Sequence, residues 1–305
     1  MIPRLNTIPG AGFLLLLLLA NVRLEAQSLE PRAFAPNPTG VNFILGSWLR
    51  TDGDVLLNDS VPIEDFRIVS DAFLAGFGGT FAVGSRLASI GILVPYITGD
   101  ATGRLRGVPE EVHRSGLGDT SFRFTLSLLP DSALKPAEFR KKPLDRTLAA
   151  SLIVFAPTGE YYDDKLINLS AHRWAFKPSI GGSRQFGPWS IDGSAGVWLF
   201  TDNNEYLENS RREQDPIGVL DANLSYTFAP RLWLSGSVTW YAGGRSQVDG
   251  KSRRDSQNNT RAGLTLALPV TRQQSIKLSW GTGTSTRFGG QYDSYLISWQ
   301  YLWFN

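Results

Sequence analysis

The chain has 305 residues, 42% hydrophobic and 19% charged, with a formal net charge of +2. Near neutrality without a long basic run offers little to a nucleic-acid partner. The absence of cysteine and the presence of only 2 histidines rule out disulfide frameworks, thiolate metal sites and histidine-rich metal centres, and no cofactor is expected. Glycine (31) and the aromatics (Phe 17, Trp 9, Tyr 9) are abundant, a pairing that suits β structure better than helix.

The first 26 residues, MIPRLNTIPGAGFLLLLLLANVRLEA, combine a basic start at Arg4, an apolar run from Phe13 to Ala20 and the small residue Ala26. That is the layout of a cleaved secretory signal peptide, too short in its apolar part to span a bilayer. Residues 27–40, QSLEPRAFAPNPTG, carry Pro31, Pro36 and Pro38, so they cannot form a paired central strand. A flexible periplasmic leader is the simpler expectation for them, and a small plug in a barrel mouth the alternative.

From residue 41 to 305 the pattern is period 2. Strands are expected near 41–50, 66–77, 86–97, 117–129, 146–156, 173–184, 188–200, 217–228, 231–242, 260–270, 274–285 and 294–303. In SFRFTLSL, Phe122 and Phe124 alternate with Arg123 and Thr125; in LDANLSYTF, Leu220, Leu224 and Phe228 alternate with Asp221, Asn223 and Ser225. Such alternation gives a strand one apolar and one wet face. The last stretch, SYLISWQYLWFN, places Tyr295, Ile297, Trp299, Tyr301 and Trp303 on one face, with Phe304 penultimate.

The links decide what the apolar face meets. Short ones at 186–188, 229–231 and 271–274 alternate with long polar ones at 51–65, 99–119, 157–173, 201–216 and 243–259, followed by a shorter 287–293. Short turns at one end and long loops at the other are the signature of an outer-membrane barrel. One long link, 130–145, occupies a short-link slot; its SALKPAEFRKK can form a brief amphipathic helix limited by Pro136. Aromatics gather where girdles belong: Trp189, Phe228 and Trp303 at the short-turn end, and Tyr96, Trp174, Trp198, Phe200, Trp240 and Tyr241 at the loop end. The expected fold is an all-β, transmembrane, antiparallel up-and-down barrel of about twelve strands in the bacterial outer membrane.

With the apolar face to lipid, Arg123, Lys177, Asp192, Asp221, Asn223 and Lys277 line the lumen. They either set the selectivity of a narrow channel or fill the interior by pairing with one another. The basic loop at 243–259 reads as a solvated loop, its arginines balanced by Asp249 and Asp255. Outer-membrane lipids are the expected surroundings, and the aromatic last strand is the expected handle for the barrel assembly machinery. The segment HRSG offers an enzymatic alternative, a lipid hydrolase with His113 as base and Ser115 as nucleophile two residues on. Its orienting acid would come from Glu110, Glu111 or another loop. His172 reads as a loop residue. A purely structural barrel is the remaining alternative.

The blocks LEPRAFAPNPTGVNFI, SGLGDTSFRFTLSLL, DKLINLSAHRWAFKPSIG, REQDP, YAGGRSQVDG and NNTRAGLTLALP occur in this order along the chain. In them the sequence resembles the outer-membrane transporter family associated with the MetA pathway of phenol degradation. The resemblance implies an outer-membrane barrel that moves small organic, including aromatic, compounds; it carries over no site residues.

Overall fold

The computed structural model describes residues 29–56, 63–141, 144–165, 167–207 and 209–304. The expected signal peptide, Met1–Ala26, lies outside them. In chain order the elements are β1 (Val41–Leu56), β2 (Ile63–Val83), β3 (Arg86–Leu105), β4 (Val108–Leu117) and β5 (Thr120–Ser127). The short helix α1 (Pro136–Lys141) follows, then β6 (Arg146–Ala156), β7 (Ala175–Phe186), β8 (Trp189–Phe200), β9 (Asn203–Tyr206) and β10 (Ser210–Gln214). The chain continues through β11 (Ile217–Ala229), β12 (Leu232–Gly243), β13 (Ser246–Val248) and β14 (Lys251–Ser252). It finishes with β15 (Gln257–Pro269), β16 (Gln274–Ser285) and β17 (Gly289–Phe304).

These strands close into a barrel of 12, every neighbour antiparallel. The seam is β1 on β17, in unbroken register from Val41 opposite Phe304 to Leu56 opposite Gly289. Closure satisfies the backbone groups that an open edge would leave bare in hydrocarbon. Among the described residues no helix is long and apolar enough to cross a membrane; the crossing is made by strands.

The alternation read from the sequence is the alternation of the wall. Leu224 is 48% exposed on the outer face, while its neighbour Ser225 is fully buried inside. Ile180, Leu220, Val238, Leu264 and Ile297 share the outer face. This arrangement is stable only if the outer face meets lipid, since a soluble core would have to run the other way. Leu224→Arg, near the middle of β11, is therefore expected to cost about 2–4 kcal/mol of folding free energy, measured by urea titration of the protein refolded into lipid vesicles. A cost within error of zero would place that face outside the hydrocarbon.

Three features depart from the sequence expectation. The span 99–119, read as a loop, is a hairpin: β3 continues to Leu105 and β4 returns along it, Leu105 opposite Val108. β4 and β5 are one wall strand interrupted at Gly118 and Asp119, since both pair with β3. Secondly, the loops at 201–216 and 243–259 fold together as a 4-stranded sheet, β14-β13-β10-β9, which forms a cap at the long-loop end. Thirdly, half of the expected loop-end girdle faces inward. Tyr96, Trp174 and Trp240 are exposed as girdle residues should be, but Trp198 and Tyr241 are each 2% exposed, in a cluster with Phe155, Ile217 and Val219 on which Phe200 packs. Parity is the cause: Trp198 and Phe200 share the face of Asp192, and Tyr241 that of Thr239.

Candidate lumenal site

Residues 29–40 do not hang free of the barrel; they run into its lumen. With three prolines the segment cannot join a ladder, so its backbone is satisfied by turns and by wall side chains. Ala33 N donates to Glu30 O at 3.3 Å and Ala35 N to Arg32 O at 3.1 Å. Arg32 sits at φ 62, a left-handed turn that aims its amide at the wall, where it donates to Asp192 Oδ2 at 3.2 Å. Thr147 Oγ1 and Ser183 Oγ, from β6 and β7, donate to Phe34 O at 2.5 and 3.1 Å.

Side chains complete the seating. Glu30 is ion-paired with Arg123 of β5. The Arg32 guanidinium donates to Thr227 Oγ1 at 2.6 Å and lies 4.7 Å from the centre of the Trp233 ring. Two glycines make room for the apolar groups. A Cβ on Gly181 would fall 2.4 Å from the Phe34 ring, and one on Gly263 would fall 2.3 Å from Leu29 Cδ1. At the short-turn end Thr39 N donates to Leu134 O at 2.8 Å and Gly40 N to Thr80 O at 2.9 Å. Leu134 belongs to the 130–145 link. The one long link in a short-link slot is thus the clasp that holds the root of the inserted segment.

Five of the expected lumen residues, Arg123, Lys177, Asp192, Asp221 and Asn223, line one cavity against this segment. The cavity measures about 20 Å³, room for a water or two and for no organic solute. The acids in it are held by donors: Asn223 Nδ2 gives to Asp192 Oδ2 at 2.9 Å, and Ser194 and Thr239 hydroxyls give to Asp221 at 2.9 and 2.6 Å. Lys277, on β16, lies outside this cavity and has Glu30 and Arg32 as its charged neighbours.

Above the segment the lumen changes character. The cluster around Trp198 and Tyr241 forms an aromatic tier, and cations stand on it: Lys177 Nζ lies 5.4 Å from the Trp198 ring centre and the Arg173 guanidinium 4.6 Å from that of Phe200. Arg173 is only 4% exposed and bonds to Gln214. In the cap, Arg212 stacks 5.4 Å from the Tyr206 ring centre. Burial raises the Tyr206 phenol above its ordinary range, with the guanidiniums of Arg212, Arg253 and Arg173 opposing the shift. Parity with Asp192 and Thr239 places Trp198 and Tyr241 on the inner face, a signal the sequence carries; Arg173 stands in the bend before β7, where parity gives no signal.

His113 and Ser115 lie outside the lumen, on β4. Asp100, directly opposite on β3, approaches His113 Nδ1 at 2.6 Å, so the acid beside this histidine is Asp100 and not Glu110 or Glu111. Ser115 faces Thr98 in the same register, and among the described residues no hydrogen bond joins it to His113. His172, at the cap, stacks on Tyr161 with centroids 4.5 Å apart and places Nε2 2.9 Å from Glu205. Among the described residues no group of acids and histidines is arranged to hold a metal.

Residues 58–297 match the MetA-pathway of phenol degradation family. The fold is similar to that of an outer membrane channel from Pseudomonas putida F1, with TM-score 0.78 and 19% identity over 90% of this chain and 100% of that one. It is similar, more distantly, to the β domain of the Bordetella autotransporter BrkA, with TM-score 0.53 and 11% identity over 86% of this chain and 100% of that one. No curated protein matches the chain. The closed barrel with its apolar outer face is that of a protein of the bacterial outer membrane, where short turns face the periplasm and long loops the exterior.

Proposed function

The chain belongs to the MetA-pathway of phenol degradation family, and we propose that it is a passive outer-membrane channel for small organic solutes, aromatic ones included, closed at rest by its own residues 29–39. One observation carries this reading: residues 29–40, which belong to no wall strand, occupy the lumen through hydrogen bonds and an ion pair that an entering solute can replace. A purely structural barrel gains nothing from a removable filling. The Pseudomonas putida F1 protein of similar fold is an outer membrane channel, and the family takes its name from an aromatic degradation route. The aromatic tier beneath the cap supplies ring faces on which a planar solute stacks at little cost in polarity. The outward aromatic face of β17 fits recognition by the barrel assembly machinery, and the apolar outer wall fits the lipids around it.

Purified protein in liposomes is the test. Uptake of small aromatic and aliphatic solutes above that of empty vesicles is expected, and an impermeable, electrically silent barrel would reject the channel. No hydrolytic step enters this reading. Ser115→Ala should leave uptake unchanged, and the unsubstituted protein should release no fatty acid from phospholipid; release abolished by Ser115→Ala would favour the hydrolase.

A further inference from the structure

Resting on that channel reading, we propose that the solute is an organic carboxylate, and that it opens the lumen by taking the place of the Glu30 carboxylate on Arg123. The one acidic side chain of the inserted segment is Glu30, and Glu30 is seated on a lumenal guanidinium. The segment thereby occupies, with its own carboxylate, the position an entering carboxylate would find most favourable.

The wall around that position is built for an anion. Arg123 on β5 is opposite Ile153 on β6, and Ile153 is opposite Lys177 on β7. The two cations therefore stand in one row across the wall, two strands or about 10 Å apart at the backbone, and their side chains line the same cavity as Glu30. Lys177 rests on Trp198 and makes no ion pair among the described residues. Asp192 and Asp221, which would repel an anion, are each engaged by two donors: the Arg32 amide and Asn223 for one, Ser194 and Thr239 for the other.

Further cations and rings lie between this cavity and the cap. Arg173, in the bend just before β7, precedes Lys177 by four residues and bonds to Gln214 of β10, the cap strand that also carries Arg212. The rings on which Arg173 and Lys177 stand are continuous: Phe200 stacks on Trp198, and Trp198 packs against Phe155. A carboxylate is thus handed from Arg173 to Lys177 to Arg123 while its apolar body crosses aromatic surface. At the last station the exchange puts one carboxylate where another was, so no new buried charge is created. Glu30 is tethered, which gives it an effective concentration in the millimolar range. A solute at about that concentration competes, helped by Lys177 and by the contact of its apolar body with the rings.

The experiment follows the uptake of a neutral probe, arabinose, into liposomes containing the full mature protein, with benzoate or benzyl alcohol added at equal concentration. Benzoate should accelerate arabinose uptake by about tenfold, the worth of one charge-assisted hydrogen bond, and benzyl alcohol should not. Lys177→Gln and Arg123→Gln should lose the benzoate response. Glu30→Gln should raise uptake without benzoate, and this variant changes no wall residue on which folding of the barrel depends. Equal responses to benzoate and benzyl alcohol, or a benzoate response that survives Lys177→Gln, would overturn the inference and leave the channel standing. Failure of any solute to pass, Glu30→Gln included, would remove the channel reading itself.

Discussion

Deletion of residues 29–39 should convert a slow channel into a fast one, with arabinose uptake into liposomes rising by well over an order of magnitude. The segment is held by the Glu30–Arg123 pair, by the Arg32 amide on Asp192, by the Arg32 guanidinium on Thr227 and by two hydroxyls on Phe34 O. Hydrogen bonds to charged groups are worth about 1.5–3 kcal/mol each, and about 1.4 kcal/mol shifts a population tenfold. Two such contacts suffice to keep the open form to about one part in a hundred. The deletion removes them all and enlarges a cavity that now admits no organic solute. The wall keeps its ladder, so the deleted protein should still migrate differently on a gel before and after boiling. A point substitution checks the same idea. A Cβ on Gly181 collides with the Phe34 ring, so Gly181→Val should open the lumen without shortening the chain. Uptake unchanged by both would mean that residues 29–39 are not what closes the barrel.

The wall was readable because lipid imposes a strict rule on it. Each strand must show apolar groups outward at every second position, and stretches such as LDANLSYTF and RLWLSGSVTW state that rule residue by residue. The same parity puts Arg123, Lys177, Asp192, Asp221 and Asn223 on one set of faces, and these five line the cavity against the inserted segment. Where parity and composition conflict, parity decides. Trp198 and Tyr241 lie near strand ends as girdle aromatics do, yet their neighbours Asp192 and Thr239 fix them on the inner face. The hairpin of β3 and β4 was hidden for a different reason. Above the membrane both faces of a strand are wet, so GDATGRLRGVPEEVHRSG has no apolar alternation to betray it.

The inserted segment was the least legible part, since nothing local specifies it. Its prolines exclude a strand but do not say where the chain goes. Its destination is set by partners far along the sequence, such as Asp192 and Thr147, and by the small residues Gly181 and Gly263 that leave room for Phe34 and Leu29. One clue was present. The long 130–145 link breaks the alternation of short and long connections, and its Leu134 carbonyl proves to be the anchor for Thr39. An exception to a strict architectural rule needs a cause, and here the cause is the clasp.

The seam supports the largest loss expected from one substitution. Ile297 of β17 is opposite Trp48 on one side and Leu278 on the other, so it stands in the middle of the strand that closes the barrel. Proline at this position removes a ladder hydrogen bond and pushes its ring against the neighbouring chain, about 3 kcal/mol or more in any ordered element. In hydrocarbon the orphaned carbonyl across the ladder adds several kcal/mol, because no water replaces the lost donor. The sum is comparable to the whole folding free energy of about 5–15 kcal/mol typical of a folded domain. Ile297→Pro should therefore yield no heat-modifiable band after refolding into vesicles, whereas Ile297→Val, which keeps the amide and the branched side chain, should cost about 0.5–1.5 kcal/mol. If the proline variant refolded with nearly unchanged urea resistance, the β1–β17 ladder would not be what closes the cylinder. The lumen, the inserted segment and the carboxylate route would then lose the wall that defines them.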